Sequence, residues 1–209
     1  MVLIGQVLPQ GKGKYHITFD DGMSCVLYRS EMRSLGICEN GTLSEEQYEK
    51  LLTEILGKRC KKRALHLLEQ MDRTEKQLRE KLLSNEYPEC CVDAAIRYVK
   101  QFHYLDDYRF ACNYIRCSGG KLSERMLRQK LAAKGVRRDD IQSAIDAEYT
   151  SEEYQLILDL LHKKQFDADE ADEKEWRRMY QFLMRRGFGS SDVLKAMRCQ
   201  NCTISSCDM

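Results

Sequence analysis

Apolar and polar positions change period along this chain. Near the N-terminus they alternate in twos, and from about Lys58 they follow a helical repeat. Val2 to Leu8 is an apolar run, and Gly11-Lys12-Gly13 supplies a turn after it. Tyr15, Ile17 and Phe19 alternate with polar residues, and Asp21-Gly22 marks a hairpin before Ser24 to Tyr28. The pattern predicts a small antiparallel sheet of three strands. A sheet this small needs a helix packed on it. A short helix is expected near Ser30–Leu35, and Ser44 with Gln47 forms a capping-box pattern opening another over Glu45–Leu56.

The helical part repeats itself. The runs beginning at Leu82, Leu131 and Leu183 align without gaps, at offsets of 49 and 52 residues. Upstream, Leu78, Leu127 and Met179 correspond. Downstream, so do Val92, Ile141 and Val193, and then Ala95, Ala144 and Ala196. Such a period is that of a helical repeat unit. Each unit reads as three helices with a tight turn between the last two. Thr74 and Ser123 are N-cap residue types, with Gln77 completing a capping box. Gly135 and Gly187 fall where a left-handed C′ residue is needed, with Val136 and Phe188 closing the cap. Asp139 and Ser191 are expected to cap the helices that follow. The first unit carries Glu86 in place of glycine, so its turn is expected to be strained or differently built.

The division expected is a β and helical segment over 1–57, three-helix repeats over 58–103, 104–149 and 150–198, and a flexible cysteine-bearing tail over 199–209. The fold class is mainly α, an elongated array behind a small antiparallel β segment.

Composition narrows the function. The chain has 209 residues, 43% hydrophobic and 32% charged, with 12 glycines and two prolines. It can bury a core, and it is neither collagen-like nor low-complexity. No apolar run reaches the length of a membrane span, and Met1 to Gln10 lacks the layout of a secretory signal, so a cytoplasmic protein is expected. Ten cysteines are expected to stay reduced there, with Cys60, Cys112 and Cys117 acting as small hydrophobes within helices.

Net charge is +1, unevenly spread: −3 over residues 1–57, +6 over 58–149 and −2 over 150–209. A basic middle suits nucleic acid or an acidic protein groove, and it also describes an ordinary solvated helical surface.

The stretch Leu105-Asp106-Asp107 to Phe110-Ala111 reads as a helix start, with Asp106 as N-cap, Asp107 favoured by the helix dipole, and Leu105 stapled to Phe110. Together with Gly119-Gly120, Leu127, Leu131, Lys134-Gly135-Val136 and Ile141 to Ile145, it resembles the signature of the RecX family, regulators of the bacterial RecA recombinase. The likeness is best over residues 104–148. It implies a non-enzymatic protein without cofactor, metal or small-molecule substrate. Such a protein lies in the groove of the RecA–DNA filament and inhibits ATP hydrolysis and strand exchange, modulating recombination, DNA repair and the SOS response. A monomer is expected, with no membrane partner, and direct contact with single- or double-stranded DNA is left open. An elongated array offers a long surface to a periodic partner.

On a helical wheel, Leu127, Leu131 and Lys134 mark one side of the helix after Ser123. Arg125 and Gln129 point the opposite way, and Arg128 lies laterally. Lys121, Arg125, Arg128, Lys134, Arg137 and Arg138 are the candidate partner-binding residues. Leu105, Asp106, Asp107, Phe110, Ala111 and Gly135 are the family motif, read as structural. A helix-turn-helix transcriptional regulator is the alternative, although the basic residues are not gathered on one recognition helix.

Other chemistries find no support. No Gly-Lys-Ser/Thr occurs, so there is no P-loop. Asp167 to Asp172 lacks the glycine and terminal glutamate of a calcium loop and reads as a solvated linker. Cys199, Cys202 and Cys207 give three thiolates without a fourth ligand, and are expected to be free thiols.

Overall fold

The computed structural model of the chain describes residues 1–118, 120–150 and 152–198. They divide into two compact units, the second beginning at Asp107. In the first unit the three expected strands form as β1 (Val2–Gly11), β2 (Lys14–Phe19) and β3 (Ser24–Tyr28). A fourth, β4 (Thr42–Leu43), joins the free edge of β1, giving an antiparallel sheet of order β3-β2-β1-β4. Two residues are too few to show a period of two, so β4 is invisible in the sequence. Register explains the buried face: Ile4 lies opposite Phe19, and Ile17 opposite Cys25, all four buried.

Helix α1 (Arg29–Leu35) ends at Gly36 in the left-handed region. Ser44 and Gln47 form the expected reciprocal cap, at 3.1 and 2.9 Å, and open α2 (Glu45–Lys50). The helix does not stop at Leu56, however. It runs through a π-helical segment, Leu51–Gly57, directly into α3 (Lys58–Gln70). Gly57 acts by close approach and not as a terminator: a Cβ there would sit 2.8 Å from the carbonyl oxygen of Leu52. That oxygen also accepts from the Cys91 thiol at 3.4 Å. Apolar residues of the sheet, the π segment, α3, α4 (Glu75–Leu83) and α5 (Glu89–Gln101) share one core. The sheet thus finds its covering helices in the first repeat.

In the second unit, α6 (Asp107–Ser118), α7 (Glu124–Ala133) and α8 (Arg138–Glu148) make the second repeat. Helices α9 (Glu153–Lys163), α10 (Glu173–Met184) and α11 (Ser190–Arg198) make the third. Each repeat has its own core, and Tyr149 packs against both. Thr74 and Ser123 are buried N-caps, their hydroxyls accepting from the N–H groups of Gln77 and Met126. A buried hydroxyl is tolerated here because it satisfies a helix-end donor.

Two expected caps are misplaced. Helix α8 starts at Arg138, leaving Asp139 inside its first turn, and Ser191 likewise lies within α11. The turns are two residues shorter than cap spacing suggested, and the acids act on the helix dipole instead. Cys60 and Cys112 are buried, whereas Cys117 is exposed because it falls off the Ala111/Cys112/Ile115 stripe. Leu105 is buried in the first unit's core and Phe110 lies against that of the second repeat, so the expected staple partners belong to different cores. Cys199, Cys202 and Cys207 lie outside the described residues.

A candidate partner-binding surface on the second repeat

Helix α7 presents the candidate residues much as the wheel arranges them. Leu127 and Leu131 are buried against α6 and α8, while Arg125 and Gln129 are exposed on the far side. Arg128 is half-exposed and not free: its guanidinium grips Glu124, one turn back, at 2.6 and 2.7 Å. That pair is locally neutral. Lys134, at the end of α7, is half-buried with its ammonium over the Tyr114 and Phe110 rings, 5.4 and 5.9 Å from their centroids. Those rings stack at 6.3 Å. Lys134 is therefore tied to α6 by cation–π contact.

Lys121, Arg125, Arg137 and Arg138 are exposed, and none has a carboxylate in ion-pair range among the described residues. They fall at two places. Lys121 and Arg125 flank the start of α7. Arg137 and Arg138 follow the turn at its end, about 14 Å further along the helix axis at 1.5 Å per residue. Such spacing suits an extended anionic partner better than a single small ion.

Three of the motif residues lie within this frame. Asp107 is the first residue of α6, Ala111 is fully buried in the second core, and Gly135 has φ of 90°. The N–H of Gly135 donates to Ala132 at 2.9 Å and that of Val136 to Leu131 at 3.2 Å, closing the end of α7 as a Schellman turn. Arg116 bridges α6 to α8 by a two-point contact with Glu148, at 2.6 and 2.7 Å. The guanidinium holds the Glu148 carboxyl below its ordinary value.

Elsewhere, burial pushes the thiols of Cys25, Cys60 and Cys91 up to about 12, which suppresses their nucleophilicity. Among the described residues no group of three or more His, Cys, Asp or Glu side chains is arranged to hold a metal. Sequence reasoning missed one polar concavity, a groove in the first unit lined by residues as distant as Gln10 and Tyr87. No local spacing could have signalled it.

Comparison with known proteins places the chain. Residues 60–98, 106–145 and 151–197 match, in order, the first, second and third three-helix domains of RecX. The chain belongs to the RecX family. Regulatory protein RecX of Vibrio campbellii is 31% identical over 151 residues, spanning 72% of this chain and 96% of that protein. Its counterpart from Clostridium botulinum strain Eklund 17B is 24% identical over 197 residues, covering 91% of each. A crystal structure of regulatory protein RecX superimposes with a TM-score of 0.59 at 23% identity, over 95% of this chain and all of the other. RecX from Lactobacillus salivarius gives 0.57 at 18% identity, over 70% and 97%. These structural likenesses support the fold, and the RecX sequence relatives support a regulatory role.

Proposed function

We propose that this RecX-family regulator binds the RecA–DNA filament and inhibits RecA ATP hydrolysis and strand exchange, and so modulates recombination and repair in the cytoplasm. The observation that carries the reading is the match of all three repeats, in order, to the domains of a family whose named members are regulatory proteins. The exposed cations around α7 support it, because an anionic nucleoprotein filament offers extended negative charge. Inhibition would be by occupancy, with no chemistry contributed by this chain acting as a monomer.

The test is RecA ATP hydrolysis on single-stranded DNA with the protein added. Wild type should lower the rate, and its effect should weaken as salt rises. Replacing Arg125, Arg128, Arg137 and Arg138 together by glutamate should relieve inhibition at unchanged helical content, because these side chains avoid the Leu127/Leu131 face. No inhibition by wild type overturns the function. Full inhibition by the folded quadruple variant moves the contact to another repeat.

A further inference from the structure

The first unit carries a second polar site, away from α7 in sequence and built from different elements. Between the sheet, α3 and the turn after α4 lies a groove of about 460 Å³. One of its walls is fixed. Arg59 donates from Nη1 to both Glu31 oxygens at 2.8 and 2.9 Å and from Nη2 to the Val26 carbonyl. Its guanidinium also lies 5.2 and 5.6 Å from the centroids of Tyr28 and Tyr87. Arg59 is thus spent on structure, and its charge is cancelled by Glu31.

The rest of the lining is rich in unspent donors. Lys14 lies 5.6 Å from the Tyr28 ring centroid and has no carboxylate partner among the described residues. Arg63 is half-buried. Its Nε donates to Asn85 Oδ1 at 3.1 Å, and among the described residues its terminal nitrogens meet no acid. Asn85 accepts through its oxygen and so keeps its amide hydrogens to offer. Among the described residues the one carboxylate on the lining, Glu86, already accepts from Gln10 Nε2 at 2.9 and 3.1 Å. Lys14 and Arg63 set against Glu86 leave a net charge of +1.

We infer that this groove binds one phosphodiester of a single-stranded nucleic acid. A half-buried cation without a counter-ion is costly and is relieved by an anion with several acceptor oxygens. A phosphodiester brings one negative charge, matching the groove's +1. Inorganic phosphate or a terminal phosphate carries between one and two at neutral pH. A flexible strand can lower its backbone into a concavity, whereas a duplex presents its phosphates on a stiff convex surface. The site requires no RecA, so its test is separate from that of filament inhibition.

The experiment is fluorescence anisotropy of labelled oligothymidylate, about 20 nucleotides long, with the full chain and no RecA, over a salt series. Lys14→Ala with Arg63→Gln should weaken binding at least about tenfold and flatten the salt slope by about 0.7 for the lost phosphate contact. Lys14→Ala alone, at an exposed position, should show part of the loss in an undisturbed fold. Glu86→Gln should tighten binding several-fold, an opposite response that a merely structural role would not give. The inference is overturned if wild type does not bind, if the folded double variant binds as wild type does, or if Glu86→Gln binds no tighter. It is also overturned if inorganic phosphate or an acidic glutamate peptide competes as well as unlabelled oligothymidylate at equal anion concentration.

Discussion

The turn after α4 and the turns after α7 and α10 trace one path with different residues at the critical position. Glu86 has φ of 61°, Gly135 of 90° and Gly187 of 91°. The same backbone bond recurs: Glu86 N–H to Leu83, Gly135 to Ala132 and Gly187 to Met184, all between 2.8 and 3.0 Å. In each case the next residue, Tyr87, Val136 or Phe188, packs on or within its core. A side chain at positive φ is strained by about 1 kcal/mol or more. The first repeat accepts that strain where the others avoid it, and its carboxylate reaches the Gln10 amide of β1. Glycine is one way to build this turn. A residue that gains a contact beyond the turn is another.

Glycine itself is required for different reasons at its two positions. At Gly187 a Cβ would lie 2.4 Å from the Ser123 hydroxyl and 2.8 Å from Met126 Cβ, and the neighbouring Arg186 carbonyl accepts from Ser123 N–H at 3.0 Å. Here the turn of the third repeat is pressed onto the N-cap of α7. Gly187→Val should therefore combine backbone strain with overpacking and cost about 3 kcal/mol or more. Gly135→Ala, argued from φ alone, should cost about 1 to 2 kcal/mol. Urea midpoints of the two variants check the order, and equal losses would show that the contact with Ser123 does not matter.

Glu86 sharpens the comparison further. Glu86→Gly relieves the backbone but gives up two exposed hydrogen bonds, so its net effect should lie within about 1 kcal/mol of zero. In a Gln10→Ala background those bonds are already gone. The same change should then stabilise by about 1 kcal/mol. A double-mutant cycle in urea unfolding measures the difference, and additivity would show that the Gln10 contact is worth nothing.

What was legible in the sequence follows from range. Strand alternation, the Ser44, Thr74 and Ser123 caps and the two glycine turns are local signals, and each appears where its residues placed it. The π segment was not legible: the sequence ended the helix at Leu56, and the close approach of Gly57 to the Leu52 carbonyl is a matter of packing that no local spacing shows. The turn at Glu86 was half legible: its position follows from the repeat, its partner on β1 does not. At the candidate surface the wheel separated Arg125 from the core correctly. It could not show that Arg128 is paired with Glu124 or that Lys134 rests on two aromatic rings.

The smallest expected effect concerns how the repeats tie their helices together. In the first repeat, α4 and α5 are joined by Arg79–Asp93 and Lys100–Glu75, both at 2.7 Å. In the second, Arg116 joins α6 to α8 through Glu148. Arg116 is 59% exposed, so screening keeps the contribution small. Its sign is nevertheless defined. Arg116 lowers the Glu148 pKa in the folded state, so the folded chain holds fewer protons there than the unfolded one. The stabilisation is present above the ordinary carboxylate value of 4.5 and is lost as pH falls through the lower folded value. Glu148→Gln should remove that part of the acid sensitivity and leave the rest. Melting temperatures of wild type and variant should differ slightly at pH 7 and converge toward pH 3, and a gap that widens on acidification would show that the pair does not stabilise the repeat.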